Sequence, residues 1–347
     1  MSLDHGYRTV TVRAGRLSHL VGLRTLVVCS VLVAGTVALG VLALTLGSLH
    51  IDADRVVRAL LGFPATPQDH LLVIGWRLPR VLFAIACGVA LGVSGAIFQS
   101  LTRNPLGSPD IIGFSSGSYT GAIVVMLVLG STRYLEVAAG SLIGGCVTAA
   151  VVYLLAVQGG KVQPFRLIIM GIGVGAMLAS LNSTLLLFVD ADTALLAAVW
   201  AAGSLNGLGN EQLWPMVAIL AVLLALLTLV TARLRQLELG DDAARALGTR
   251  PEGVRAGAVV LGVGLTALVT AAAGPISFVA LAAPQIARRL VRGSGLLLLP
   301  SAIVGGFVLL ASDILAQRLG FPVGVVTACL GGAYLAWLLA DEFRRRR

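Results

Sequence analysis

Apolar runs of membrane-spanning length, parted by short polar breaks, repeat along nearly the whole chain. They fall at residues 26–46, 81–101, 118–129, 137–157 and 167–189, then at 213–232, 254–273, 276–291, 296–317 and 323–340. A helix of about 20 apolar residues crosses the hydrocarbon core of a bilayer, so the pattern predicts an all-α, polytopic membrane protein of about ten transmembrane helices. No strand pattern, heptad run or low-complexity tract stands out. The expected organisation is a cytoplasmic tail at 1–25, a single transmembrane domain at 26–340 and a basic tail at 341–347. Arg8, Arg13, Arg16 and Arg24 ahead of the first run resemble the start of a signal peptide. The run continues to Gly47 without a small-residue cleavage site, however, and reads as a retained first helix.

The break after the second run carries the densest pattern. From Trp76 to Ala122 the chain reads WRLPRVLFAIACGVALGVSGAIFQSLTRNPLGSPDIIGFSSGSYTGA. Gly88, Gly92, Ser94 and Gly95 place small residues at short helical spacings, which lets helices approach backbone to backbone in lipid. Asn104-Pro105, Pro109 and Gly113 then interrupt the apolar pattern. Non-helical backbone at membrane depth is tolerated only where protein buries it or where it lines a watery path. The stretch reads as a membrane helix ending in a structured pore element; the alternative is an ordinary short loop. A fainter echo follows, because the run at 254–273 leads into Gly274-Pro275-Ile276 as the run at 81–101 leads into Asn104-Pro105-Leu106. The two runs cross in opposite directions, which suggests an inverted repeat with the transport path at the interface of its halves.

Composition agrees with the membrane reading. Hydrophobic residues make up 57% and charged ones 12%, with a mean hydropathy of +0.95, against about 25% charged in soluble domains. A net charge of +9 could suit a nucleic-acid partner, but the basic residues sit in the breaks between runs. The N-terminal arginines, Arg103, Lys161, Arg166, the group from Arg233 to Arg255, then Arg288, Arg289, Arg292 and Arg344 to Arg347 all fall on one side. The positive-inside rule makes that side cytoplasmic and puts both termini there. Arg55, Arg58, Arg77, Arg80, Arg133 and Arg318 fall outside. Cys29, Cys87, Cys146 and Cys329 lie in apolar runs without CxxC or Cys/His pairing and read as packing residues. No metal site or cofactor is expected. There is no phosphate-binding GxxxxGK[ST] loop and no catalytic set, so the chain reads as a non-enzyme that leaves ATP to another subunit.

Three features carry candidate function. Asp313 lies inside the ninth run, where a carboxylate costs a few kcal/mol unless paired or wet. It is either the coupling group of an ion-driven carrier or, the favoured reading, an Asp hydrogen-bonded to a neighbouring helix. From Arg233 to Arg250 runs the longest charged internal stretch, in which Gly240 breaks the chain, Asp241 caps a new helix and Gly248 ends it. That makes a short amphipathic helix on the cytoplasmic face; the bland alternative is a solvated loop. Arg55, Arg58 and Arg318 run against the charge rule, so they either meet a partner outside or snorkel among lipid headgroups.

The RLPR motif at Arg77–Arg80, the stretch Ser94–Asp110 (SGAIFQSLTRNPLGSPD), AGPISFVALAAPQIARR from Ala273 to Arg289 and PVGVVTACLGGAYLAWLL from Pro322 to Leu339 resemble the iron-siderophore and vitamin-B12 ABC-importer permeases. With RLIIMGIGVGAML from Arg166 and WAAGSLNGL from Trp200, the likeness is nearest to the ferric-enterobactin branch. The resemblance implies a type II importer permease that moves a ferric siderophore inward across the cell membrane. It also implies two copies of an ATP-binding subunit, a second permease chain in a heterodimer and a siderophore-binding protein outside. Asp241, Asp242, Ala244, Arg245, Leu247 and Gly248 would form the coupling helix seated in the ATPase. Asn104, Pro105 and Leu106, with Gln163 and Pro164, would gate the path at its inner end, and Asn182, Leu185 and Leu186 would face it. Arg55, Arg58 and Arg318 would dock the binding protein, and Trp200 would sit on a short outer helix or act as an interfacial anchor. A cobalamin or haem importer, or an ion-coupled carrier acting alone, are the competing readings. The absence of intramembrane charge pairs is expected to weigh against the carrier.

Overall fold

Each of the ten apolar runs forms a helix in the computed structural model, which describes residues 9–345 apart from 15–16, 48, 50 and 159–160. Helix α1 (Leu23–Thr45) is followed by the short α2 (Ala53–Leu60) and α3 (Pro67–His70). α3 runs through π-helical turns, Leu71–Arg77, into α4 (Leu78–Thr102), giving one continuous rod. Pro79 explains the widened turns. It has no N–H to offer the carbonyl of Gly75, and its ring crowds that group. A 3-10 turn, Pro109–Ile112, leads to α5 (Phe114–Val128), then α6 (Tyr134–Ala156) and α7 (Pro164–Leu185). α8 (Ala191–Ala201) is too short to cross. The second half comprises α9 (Asn210–Leu237), the six-residue α10 (Asp241–Ala246), α11 (Pro251–Ala273), α12 (Val279–Val291), α13 (Leu298–Leu319) and α14 (Val323–Arg345).

Two small antiparallel hairpins depart from the strand-free expectation. Thr9–Ala14 pairs with Leu17–Gly22, and Val157–Gln158 pairs with Lys161–Val162. The first draws on the β-branched alternation Thr9-Val10-Thr11-Val12, whose stiff side chains favour extended backbone. That signal is short and lies beside a far stronger helical one. The outer parts of the two expected tails, residues 1–8 and 346–347, lie outside the described residues.

The helices pack with a two-fold pattern. α5 packs on α6 as α12 packs on α13, and the first helix of each half crosses to the third helix of the other, α4 onto α13 and α11 onto α6. Between α4 and α11 lie the crossing helices α5, α6, α7 and α9, so α4 and α11 run in opposite directions. This is the inverted repeat. Each half breaks before its short helix at a residue with left-handed backbone, Gly113 before α5 and Phe278 before α12.

The core sits on α4, whose membrane window is 83% buried against 17% for α1 and for the segment containing α7. Small residues make this possible. A Cβ on Gly88 would overlap backbone atoms of Gly305 and Gly306, one on Gly92 the carbonyl of Ser301, and one on Gly95 the carbonyl of Ala280. α5 and α6 meet in the same way through Gly117, Gly121, Gly140 and Gly144. Some of the polar groups inside bond across helices. The Ser94 hydroxyl donates to the Gly262 carbonyl at 2.7 Å, and Gln99 Nε2 donates to the Leu281 carbonyl at 3.0 Å.

Asp313 is buried and forked to Arg80. The guanidinium donates Nε to Oδ2 at 2.9 Å and Nη2 to Oδ1 at 2.8 Å, and Gln317 adds a third bond at 2.8 Å. Arg80 also reaches Asn206 Oδ1 at 2.7 Å. An ion pair therefore does exist within the helical bundle, against expectation. It ties α4 to α13, with both carboxylate oxygens held by the one guanidinium.

Candidate functional site

The C-terminal end of α4 is built around a sharp turn. Asn104 follows the helix, its Oδ1 accepts the Leu106 N–H at 2.9 Å, and its carbonyl accepts the Gly107 N–H at 2.9 Å. This Asx turn lets the chain reverse where Pro105 offers no donor. Gln285 of α12 donates to the Pro105 carbonyl at 3.2 Å and to Gln99 Oε1. The turn is thereby fastened to the core through a buried pair of amides. Gln163 and Pro164 lie at the start of α7, where Gln163 is the N-cap residue and its carbonyl accepts the Leu167 N–H at 3.0 Å.

α10 is a short helix bounded by glycines with positive φ, Gly240 at 104° and Gly248 at 79°. Gly248 lets the backbone turn back, with its own N–H on the Arg245 carbonyl at 2.9 Å and the Thr249 N–H on the Ala244 carbonyl at 2.9 Å. Asp241 at its start is pinned by Arg255 at 2.6 Å and Arg103 at 3.5 Å. Burial pushes the Asp241 carboxyl up, but the Arg255 bond and the charges of Arg255, Arg103 and Arg245 outweigh it and hold the carboxyl below its ordinary value. A depressed carboxylate stabilises the fold above its unfolded pKa, and that contribution is lost as pH falls through the folded value. Arg245 spans Asp242 at 3.0 Å and Glu252 at 3.1 Å. Leu247 is 58% exposed and Leu239, just before the helix, 69%, while Ala244 is fully buried within the chain. Ala244 therefore packs inward, contrary to expectation, because the tight turn closes over it. The apolar surface α10 offers outward is Leu239 with Leu247.

α7 carries its polar residues in two ways. Asn182 is buried, donating Nδ2 to the Ser116 carbonyl of α5 at 3.2 Å, and Leu185 and Leu186 pack against the α5 cluster around Ile123 and Met126. These three residues lie in the α5–α7 seam. The exposed residues of α7 include Ile172, Met177, Leu181, Ser183 and Thr184. Ser183 donates to the Ala179 carbonyl at 3.0 Å and Thr184 to the Ser180 carbonyl at 2.9 Å. Trp200 of α8 stacks on Tyr119 of α5, ring centroids 6.3 Å apart, so its ring is held by the bundle.

Arg55, Arg58 and Arg318 differ in their surroundings. Arg55 forks onto the buried Asp69, with Nη2 to Oδ1 at 2.7 Å, fixing α2 against α3. Arg58 makes only an exposed pair with Asp54 at 3.2 Å. Arg318 is exposed and has no ion-pair partner among the described residues.

The family model of the FecCD transport family matches residues 25–341. The chain belongs to the FecCD transport family. It is 46% identical to the ferric enterobactin transport system permease protein FepG of Escherichia coli (strain K12), over 93% of this chain and 98% of that protein. It is 33% identical to the Fe(3+)-citrate import system permease protein YfmE of Bacillus subtilis (strain 168), over 93% and 97%. Among solved structures it is similar to a metal-chelate type ABC transporter in an inward-facing conformation, with a TM-score of 0.79 and 26% identity, covering 91% of this chain and 99% of that one.

As a FecCD chain, the protein carries site features that sequence reasoning did not find. Gln285 and Asp69 carry no signal of their own in the sequence, and Arg103 counts there only as one more basic charge. Leu239 could have been found, since a leucine flanked by Glu238 and a breaking Gly240 is an apolar residue with no run to join. Arg55 and Arg58 now separate into different experiments. Arg55→Glu is expected to place like charge against buried Asp69 and lower the thermal midpoint in detergent, whereas Arg58→Glu leaves it unchanged. Equal midpoints for the two variants would show that the Asp69 fork contributes nothing to the fold.

Proposed function

We propose that this chain is the membrane-spanning permease subunit of an ABC importer that carries a ferric siderophore inward, with both termini on the cytoplasmic side of the cell membrane. The observation that carries the reading is the near full-length identity to a permease whose name specifies ferric enterobactin. The exposed helix α10, with Leu239 and Leu247 free on its surface, supports it as the element that would seat in an ATP-binding subunit. Two such subunits hydrolyse ATP and drive alternating access; this chain supplies the walls and no chemistry. The break at Asn104–Leu106 with Gln163 and Pro164 forms the inner gate, and the α7 region borders the path. A second permease chain completes the path as a heterodimer, and a siderophore-binding protein docks outside over Arg58 and Arg318. Arg55 acts behind them by holding α2 in place.

The test is uptake of ferric enterobactin into vesicles holding the chain with its second permease, ATPase and binding protein. Uptake is expected to stop when ATP is omitted and when the phosphate-binding lysine of the ATPase is replaced. Uptake that follows a proton gradient without ATP would overturn the reading.

A further inference from the structure

We propose that Arg103 is a positioning residue that transmits movement of α10 to the Asn104–Leu106 turn; this rests on the proposed function, which makes α10 the element the ATPase moves. The backbone supplies the first observation. Arg103 ends α4 with φ 50° and ψ 32°, the left-handed conformation in which helices usually place glycine. An L-residue there is strained, and such strain persists only where the surroundings over-determine it.

The side chain supplies the second. From this strained position the guanidinium donates Nη2 to the carbonyl of Leu237, the last residue of α9, at 3.0 Å. The same nitrogen faces Asp241, the first residue of α10, at 3.5 Å. Asp241 is meanwhile held by Arg255 of α11 at 2.6 Å. One carboxylate at the root of α10 is thus shared between α11 and the turn that follows α4. Beside it, Glu238 accepts the Ser100 hydroxyl of α4 at 3.2 Å and the Leu296 N–H ahead of α13 at 3.2 Å. The root of α10 is therefore joined by polar bonds to α4 and to the chain entering α13.

The turn has a second anchor on its other side, where Gln285 holds the Pro105 carbonyl and Gln99. A displacement of α10 that pulls Arg103 acts on the turn against this core anchor. Stability does not account for the arrangement. The Arg103 side chain is 55% exposed and its pair with Asp241 is long, and such pairs add little to folding. What the contacts do is extend the packing of α4 on α9 to the root of α10.

Glycine at this position separates the two roles, since it relieves the backbone while removing the guanidinium. In the vesicle system, with ferric enterobactin as cargo, Arg103→Gly is expected to assemble with the ATPase and to melt at or above the parent midpoint. Its ferric enterobactin moved per ATP hydrolysed should fall by roughly fivefold or more, the lower end of an ordinary coupling free energy. Arg103→Lys, which keeps charge and strain but loses the planar guanidinium, should fall in between. Adding Asp241→Asn to Arg103→Gly should lower the ratio no further. A parental ratio in Arg103→Gly overturns the proposal, as does a loss of uptake that tracks a lowered midpoint in both variants. If the parent itself needs no ATP, the importer reading fails; if the parent is ATP-driven and the ratio is unchanged, only the role of Arg103 does.

Discussion

Replacing Gly95 with leucine is expected to remove the folded protein from the detergent-soluble fraction. A Cβ at this position would fall inside the carbonyl group of Ala280, with the Ala280 carbonyl carbon 2.6 Å and Cα 3.0 Å away. Those are backbone atoms of α12 and cannot rotate aside. α4 is the most buried of the membrane helices, so a displaced α4 also loses its contacts with α11, α12 and α13. Overpacking of an ordinary core costs about 1–3 kcal/mol, and the cost here lies above that range because no side chain absorbs the overlap. In lipid there is no hydrophobic drive between helices to compensate, since the tails are as apolar as leucine. Gly257 on α11 serves as the control, because an added Cβ there meets nothing within 4 Å. Gly257→Ala should fold normally and gain up to about 1 kcal/mol of helix propensity. Size-exclusion profiles of the two variants decide the matter, and a monodisperse Gly95→Leu protein with the parental thermal midpoint would sink the packing account.

Asp313→Ala should be the most damaging single polar change. It strands Arg80 beside a buried site, and breaking one partner of a buried pair costs about 3–5 kcal/mol because the other charge is left uncompensated. Asn206 retains one bond to the guanidinium, but Gln317 loses its acceptor. The double change Arg80→Met with Asp313→Leu removes both charges while keeping most of the volume, and should recover most of the lost thermal midpoint. If the double variant melts as low as the single, the damage comes from lost shape and not from the orphaned charge.

The ten helices were legible because lipid demands length and apolarity, and both can be read from residues in order. The ends of α10 were legible for a similar local reason, since Gly240 and Gly248 mark the turns that positive φ requires. Which way a side chain points was not. In water a helix shows its buried face by its apolar stripe, but in a bilayer the lipid face and the protein face are both apolar and the stripe vanishes. The reading of Asn182, Leu185 and Leu186 as path-facing residues therefore carried no local sign of the packing on α5 that all three also make. Ala244 was turned outward for want of any sign that the Gly248 turn would close over it. The Arg80–Asp313 pair joins residues 233 positions apart, and nothing local in either run announces the other. Arg55 looked like an unattached outer charge until folding brought Asp69 beneath it.

The hydroxyls of Ser183 and Thr184 have one further consequence. Each carries a single proton, and each has given it to a carbonyl one turn back on its own helix. What these side chains show to their surroundings is lone pairs. A molecule coated in oxygen lone pairs meets like against like at these two positions, with nothing to grip. Only a group that brings its own proton can hold on here, so this end of α7 selects its neighbours by what they donate.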